Sequence, residues 1–307
     1  MNSLDFDIIG DIHGHADALE RLLQKLGYTR KFGVYSHPHR RKVVFVGDFI
    51  DRGPKIRETL HLVRDMVESG NALAVMGNHE FNAISFHTPH TESGGFFRDH
   101  TVKEIRQHLE TMDQFQHYDL EFSVFLEWFK TLPLYLDMGR FRVVHACWDD
   151  QHIKYLEQHY QGITADFLNK GNNKKDASGM YRAVDETLKG IQRRLPENYS
   201  FIDKDGAERH ECRIRWWRDP RSRHRLKDVL IDCPDELGNM DILNGDSYHA
   251  YTAPNPPVFF GHYWLMGSPM VENPSAVCLD YSVAKGGVLV ACRLGERKGE
   301  MTKTLIY

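Results

Sequence analysis

Lys42–Gly70 reads KVVFVGDFIDRGPKIRETLHLVRDMVESG. Lys42 to Val46 is an apolar, β-branched run that predicts a buried strand. The glycine-bounded turn GDFIDRGP follows at Gly47 to Pro54. Pro54 suits the first turn of a helix, Ile56, Leu60, Val63 and Val67 fall on one helical face, and Gly70 supplies a stop. The same strand–loop–helix unit precedes it: Asp5 to Ile9 predicts a strand, GDIHG occupies Gly10 to Gly14, and Leu19, Leu22, Leu23 and Leu26 recur at helical spacing before Gly27. A third unit opens with Ala72 to Met76 and carries GNHE at Gly77 to Glu80. This alternation predicts an α/β arrangement whose parallel strands deliver their C-terminal loops to one edge, where chemistry belongs.

Farther along, residues from about His87 to Leu132 read as helical cover, most clearly Leu120 to Phe129. Phe141 to Val144 predicts a strand that ends at His145. Asn169 to Ser178 (NKGNNKKDAS) has the composition of an exposed loop. Pro257 to Phe260, Ala276 to Leu279, Gly287 to Arg293 and Met301 to Ile306 read as strands in quick succession, consistent with a second sheet packed on the first. The first of these ends in GHY at Gly261 to Tyr263.

The chain has 307 residues, of which 41% are hydrophobic, enough for a sizeable core. Motifs from Asp11 to His262 require one catalytic domain over 1–307, so any second unit is an insertion, placed at about 150–255. No apolar run is long enough for a membrane span, and MNSLDFD enters a strand without a basic leader. Cys147, Cys212, Cys233, Cys278 and Cys292 are scattered, which argues against a disulfide framework or a thiolate zinc site. A cytoplasmic protein without a membrane partner is expected. The net charge of −4 gives no support to a chain built around nucleic-acid backbone contacts.

The chemistry follows from residue types at strand ends. Carboxylates, imidazoles and one amide arriving on separate tight turns suit two divalent ions about 3.5–4 Å apart, the arrangement that promotes displacement at phosphorus. A lone Gly-Asp turn after a strand is ordinarily a helix cap. Several such turns together read as a phosphoesterase.

GDIHG, GDFIDRGP, GNHE, His145 and GHY, in this order, resemble the calcineurin-like metallophosphoesterase superfamily. Within it the chain is similar to the phosphoprotein phosphatase branch, which includes bacterial members and the diadenosine tetraphosphatases. The resemblance implies an α/β fold of two packed mixed β-sheets flanked by helices, here with a helical or irregular insertion. It implies that Asp11 and His13 hold the first metal, that Asp48 bridges both, and that Asn78, His145 and His262 complete the second. Two divalent ions are therefore expected, Mn first, with Fe, Zn, Ni or Co accepted by the same donors. Water shared by the metals would be the nucleophile, Arg52 would present its fork to phosphate oxygens, and His79, oriented by Asp51, would protonate the leaving oxygen.

Three departures refine the resemblance. Trp264 stands where many members carry a second histidine in GHxH, which points away from the nuclease and cyclic-nucleotide diesterase branches. His145 is followed by Ala146, as in tetraphosphatases, while Glu80 in GNHE looks more like the phosphatases. WWRDP at Trp216 to Pro220 is similar to an element preceding a phosphate-contacting arginine region, which makes Arg218 and Arg221 candidates for a second clamp. Arg213 to Lys227 holds seven Lys or Arg and one acid, a composition that fits either a basic rim for anionic substrate or a solvated face.

The sequence thus ranks hydrolysis of phosphomonoesters first, on small molecules, nucleotides or phosphoproteins. A phosphoanhydride such as a dinucleoside tetraphosphate or a nucleotide cap comes second, nucleic acid entering only as a capped or phosphorylated substrate. A non-catalytic binding module that keeps the metal site is a minor alternative.

Overall fold

A computed structural model describes residues 5–91, 94–195, 199–202, 208–218, 225–231, 238 and 256–307. Its frame is two sheets. Strands β1 (Phe6–Ile9), β2 (Lys42–Phe45), β3 (Ala72–Ala74), β4 (Tyr135–Asp137), β5 (Arg142–Val144), β6 (Val258–Phe260), β7 (Ala276–Cys278), β8 (Ala291–Arg297) and β9 (Glu300–Ile306) build them. The first sheet has the order β9-β8-β1-β2-β3 and the second the order β7-β6-β5-β4. Both are mixed: β1, β2 and β3 run parallel while β8 opposes β1, and β5, β6 and β7 run parallel while β4 opposes β5.

The sheets meet through one apolar layer. Phe6, Ile8, Val44 and Val46 from the first sheet pack with Phe141, Val143, Phe259 and Val277 from the second, all buried. Alternate residues of the first sheet, Ile9, Val43 and Phe45, face the other way onto helices α1 (Ala16–Lys25), α2 (Ile56–Glu68), α3 (Asn78–His87) and α5 (Asp119–Phe129); α4 (Val102–Gln114) lies between α3 and α5 in sequence. Val144, Val258 and Phe260 of the second sheet face a third cluster that includes Ile214, Trp216 and Trp217. Period-two burial of each strand thus makes a helix–sheet–sheet–insertion stack. No helix among the described residues is long and apolar enough to cross a membrane.

Several sequence expectations are corrected. The His87 to Leu132 stretch is not continuous helix: Pro89–His90 pairs antiparallel with Gly95–Phe96 before α4 begins. Pro89 lacks the N–H that a continuing helix needs. Helix α2 starts at Ile56 and not at Pro54, because Lys55 (φ −136, ψ 59) lies outside the helical region, and the first free N–H groups, Lys55 and Ile56, are taken by Gly14 O and Gln114 Oε1. Part of the expected loop at Asn169 to Ser178 is helix, Ala165–Asn172, capped by Thr164. The last hairpin joins the first sheet, not the second. Asp7 on β1 faces Arg293 on β8 and accepts both its Nε–H (2.8 Å) and Nη2–H (2.9 Å), a forked pair of a buried carboxylate and a half-buried guanidinium that fixes this register.

Candidate functional site

Every motif lies at the C-terminal end of a strand. β1 leads to Asp11 and His13, β2 to Asp48, β3 to Asn78, β5 to His145 and β6 to His262. The turns are bonded to each other. Ile12 and His13 N–H groups both donate to Asp48 O (3.1 and 2.8 Å), and the His262 N–H donates to Asp11 Oδ2 (2.9 Å). Glu80, fully buried, accepts from Asp48 N and Gly77 N on Oε2 and from Phe49 N on Oε1. Six non-glycine residues here, His13, Asp48, Asp51, Arg52, His262 and Trp264, have positive φ, a clustering of strain that marks functional turns.

The side chains converge on Asp48. Its Oδ2 lies 3.5 Å from His13 Nε2 and 3.4 Å from His145 Nε2. Asn78 Oδ1 lies 3.0 Å from His145 Nε2 and 2.8 Å from His262 Nδ1. Two triads, His13–Asp48–His79 and Asp48–His145–His262, are tight enough to hold a cation each. Asp11 stands beside them, its Oδ1 buried and without a hydrogen-bond partner.

The hydrogen bonds locate the free lone pairs of the cluster. His13 Nδ1 donates to Ile50 O (2.9 Å), leaving a lone pair on Nε2, which is buried, unpartnered and aimed toward a carboxylate oxygen of Asp48. Burial and the neighbouring His79 push the His13 imidazole down to about 3, so it is neutral at pH 7. Two facing lone pairs are favourable only with a cation between them. Burial, Asp280 and Asp48 raise the Asp11 carboxyl well above the usual range. Burial would raise Asp48 also, but the His145 and His79 imidazoles hold it well below that range. His145, which burial alone would push down, is lifted to about 10 by Asp48. Its Nδ1 donates to Val46 O (2.8 Å), which fixes the ring so that Nε2 faces the cluster. The donor set of oxygen and imidazole nitrogen fits borderline divalent ions.

Beside this cluster His79 Nδ1 bonds Asp51 Oδ2, and His79 Nε2 lies 3.4 Å from an Arg52 guanidinium nitrogen and 3.9 Å from Asp48 Oδ2. Arg52 is exposed, with its guanidinium 4.2 Å from the centroid of Trp264. The Trp264 indole also stacks on His13 at 5.4 Å and lies under Lys285 Nζ at 4.0 Å. The residue that replaces a second histidine therefore covers His13 and supports Arg52.

The family model for calcineurin-like phosphoesterase matches residues 4–263. The chain belongs to the calcineurin-like phosphoesterase family. It is 51% identical over 76 residues to the bis(5'-nucleosyl)-tetraphosphatase PrpE [asymmetrical] of Halalkalibacterium halodurans, covering 25% of this chain and 31% of that one. It is 32% identical over 172 residues to the protein of the same name from Anoxybacillus flavithermus, covering 55% and 62%. The matches thus span less than two thirds of those relatives. Among solved structures, a protein serine/threonine phosphatase from Saccharomyces cerevisiae with similarity to human phosphatase PP5 is similar over 98% of this chain and 78% of its own, at 16% identity and a TM-score of 0.45.

The two expected arginine clamps fare differently. Arg218 is committed elsewhere: Nε and Nη2 bond Glu272 (3.3 and 3.1 Å) and Nη1 donates to Asp228 O (2.8 Å). A guanidinium held in this way does not present its fork to a phosphate. Arg221 lies outside the described residues. Arg213 instead reaches the site's edge and donates to His262 O at 3.2 Å. Sequence reasoning also missed His108 and Thr111 of α4, which hold the far side of Asp51. The available signal was a helix whose buried positions are polar, His108 and Thr111. Glu80, read from sequence only as a branch marker, is the brace between two motifs.

Proposed function

We propose that this chain hydrolyses phosphorus–oxygen bonds with two divalent metal ions, on a phosphoanhydride of the dinucleoside polyphosphate class. The observation that carries the reading is the pair of buried, unpartnered atoms, Asp11 Oδ1 and His13 Nε2, beside the Asp48 carboxylate. Asp11 and His13 would hold one ion, Asn78, His145 and His262 the other, with Asp48 between them. When bound, the ions would polarise the phosphoryl oxygen and acidify water. Manganese is the proposed occupant, with Fe, Zn, Ni or Co accepted by the same shell.

The remaining steps belong to side chains. Arg52 offers paired N–H groups to two phosphate oxygens, supported on the Trp264 ring. His79 gives a proton to the leaving oxygen. Although burial would raise it, the Asp51 carboxyl is held below the usual range by the His108 and His79 imidazoles, so it stays ionised and orients His79 through Nδ1. We assign His79 this role and not that of a ligand because its Nε2 faces Arg52, the phosphate-binding group.

The relatives' names favour the anhydride substrate. Phosphomonoesters are the second reading, favoured by Arg52 and the His79–Asp51 pair, which serve an ester oxygen equally well. We take residues 1–307 as one domain whose insertion at about 150–255 selects the substrate, and we place it in the cytoplasm because the buried Cys147, Cys278 and Cys292 are free thiols. The test is a panel on Mn-loaded protein: diadenosine tetraphosphate, phosphopeptides, aryl phosphates and diesters. Release of unequal products from the tetraphosphate, a nucleoside triphosphate and a monophosphate, is expected at rates far above monoester turnover. Inertness toward the tetraphosphate with turnover of aryl phosphate would transfer the assignment to monoesters, and inertness toward the whole panel would end both readings.

A further inference from the structure

The His79–Asp51 pair does not end at Asp51. The second oxygen of that carboxylate, Oδ1, accepts from His108 Nδ1 (2.7 Å) and from the Thr111 hydroxyl (2.6 Å). The same hydroxyl accepts from the Asp51 backbone N–H at 3.0 Å, so Thr111 grips Asp51 by both its main chain and its side chain. Asp51 has φ +66 and Arg52 φ +73, conformations that non-glycine residues keep only where neighbours enforce them. One turn later Gln114 donates to Gly53 O (2.9 Å) and accepts from Ile56 N (2.6 Å). His108, Thr111 and Gln114 recur every third residue along one face of α4, and together they hold the residues on both sides of Arg52.

His108 is itself held in one orientation. Its Nδ1–H donates to the carboxylate, and its Nε2 shares a hydrogen bond with His87 Nε2 at 3.1 Å. Burial and the adjacent His108 push His87 down to about 4, so His87 is neutral at pH 7. His108, Thr111 and Asp51 are all buried, so each lost bond leaves a polar atom that water cannot readily satisfy.

We propose that His108 is a positioning residue for leaving-group protonation: with Thr111 it saturates Asp51 Oδ1, so that Oδ2 alone faces His79 and fixes its ring. The inference rests on the reading of His79 as the acid. Removing His108 leaves Asp51 Oδ1 with Thr111 as its one remaining side-chain anchor, so the carboxylate is less firmly fixed and His79 loses alignment while Arg52 and the metal-binding side chains keep theirs. The loss must then scale with how much the leaving oxygen needs a proton.

The experiment compares phenyl and p-nitrophenyl esters of phosphate and of a nucleoside 5'-monophosphate. Wild type, His108→Ala, His79→Ala, the double variant and Thr111→Ser are assayed as metal-loaded protein, with metal content and thermal midpoint recorded. For His108→Ala we expect kcat/KM on the phenyl ester to fall ~10- to 100-fold and on the p-nitrophenyl ester by less than ~3-fold, a part of the ~10²–10⁴ that general acid catalysis supplies. The effect should vanish in the His79→Ala background, the mark of two residues acting through one interaction. Thr111→Ser, which keeps the hydroxyl, should retain the wild-type dependence on leaving group. An equal loss on both esters, or an additive loss in the double variant, would overturn the positioning role. His79→Ala with an unchanged leaving-group dependence would overturn the acid reading and this inference with it.

Discussion

Gly261→Ala tests whether Asp11 belongs to the metal cluster, because at this position only space is at issue. Gly261 does not have positive φ, so alanine suits its backbone. A Cβ there would lie 1.8 Å from Asp11 Oδ1, 2.8 Å from Asp11 Cγ and 2.9 Å from Val46 Cγ2. To restore an ordinary contact of 3.4 Å the carboxylate oxygen must retreat by about 1.6 Å. Overpacking of this size costs about 1–3 kcal/mol, a fall of roughly 2–10 °C in thermal midpoint. Metal binding should suffer far more. Carboxylate–metal bonds of about 2.0–2.2 Å tolerate errors near ~0.2 Å, so the displaced oxygen is lost as a ligand. Disturbing the groups that merely orient ligands costs ~10–100-fold in affinity, and loss of a ligand should cost at least that. Calorimetric titration with Mn²⁺ should show wild type binding two ions and Gly261→Ala binding one, the second weakened by ~100-fold or more. Two ions bound with wild-type affinity, in a variant whose midpoint has dropped, would refute the placement of Asp11 in the cluster.

Two further substitutions probe the phosphate fork and the insertion. Arg52→Lys keeps the charge but not the planar pair of donors, so kcat/KM should fall ~10²-fold while the thermal midpoint of this exposed position stays put; retention of wild-type kcat/KM would remove Arg52 from phosphate binding. Glu272 is half-buried and, although burial would raise it, the Trp217 indole N–H and Arg218 hold its carboxyl below the ordinary 4.5. A depressed carboxyl contributes stability above its unfolded value that is lost as pH falls through the folded one. Glu272→Gln should therefore cost about 1 kcal/mol at pH 7, after allowing for solvent at the pair. The gap in urea midpoint should close as pH drops below ~4.5, and a gap that widens in acid would contradict the assignment.

Legibility followed sequence separation. Asp48, Asp51 and Arg52 share one turn after an apolar run, so their meeting at one strand end is written locally and could be read. So could the alternation of β1, β2 and β3 with helices. His108 and Thr111 lie 57 and 60 residues from Asp51, on a helix that pattern reading treats as cover because a buried polar face breaks the apolar periodicity it seeks. The last hairpin reads as strands, but the sheet it joins depends on Arg293 meeting Asp7 across 286 residues. Counting basic residues from Arg213 to Lys227 describes a net field and not partners; Glu272, outside the counted stretch, takes up Arg218.

What could be read and what could not are joined by the strained turns. Residues with positive φ outside glycine persist only where the surroundings over-determine them, at ~1–3 kcal/mol each. Asp48 is pinned by the amides of Ile12 and His13 on its carbonyl, by the His79 amide on Oδ1, and by Glu80 on its own N–H. His262 is pinned through its N–H on Asp11, and Asp51 through Thr111. Each strained turn is thus held by a residue of another motif or of α4, so no motif keeps its shape alone. A single Gly-Asp turn therefore says little, while the ordered set says much: the backbone bonds that fix each turn exist only when the others are present. The same interdependence makes the arrangement of Asp11, His13, Asp48, Asn78, His145 and His262 a property of the folded chain and not of any one motif.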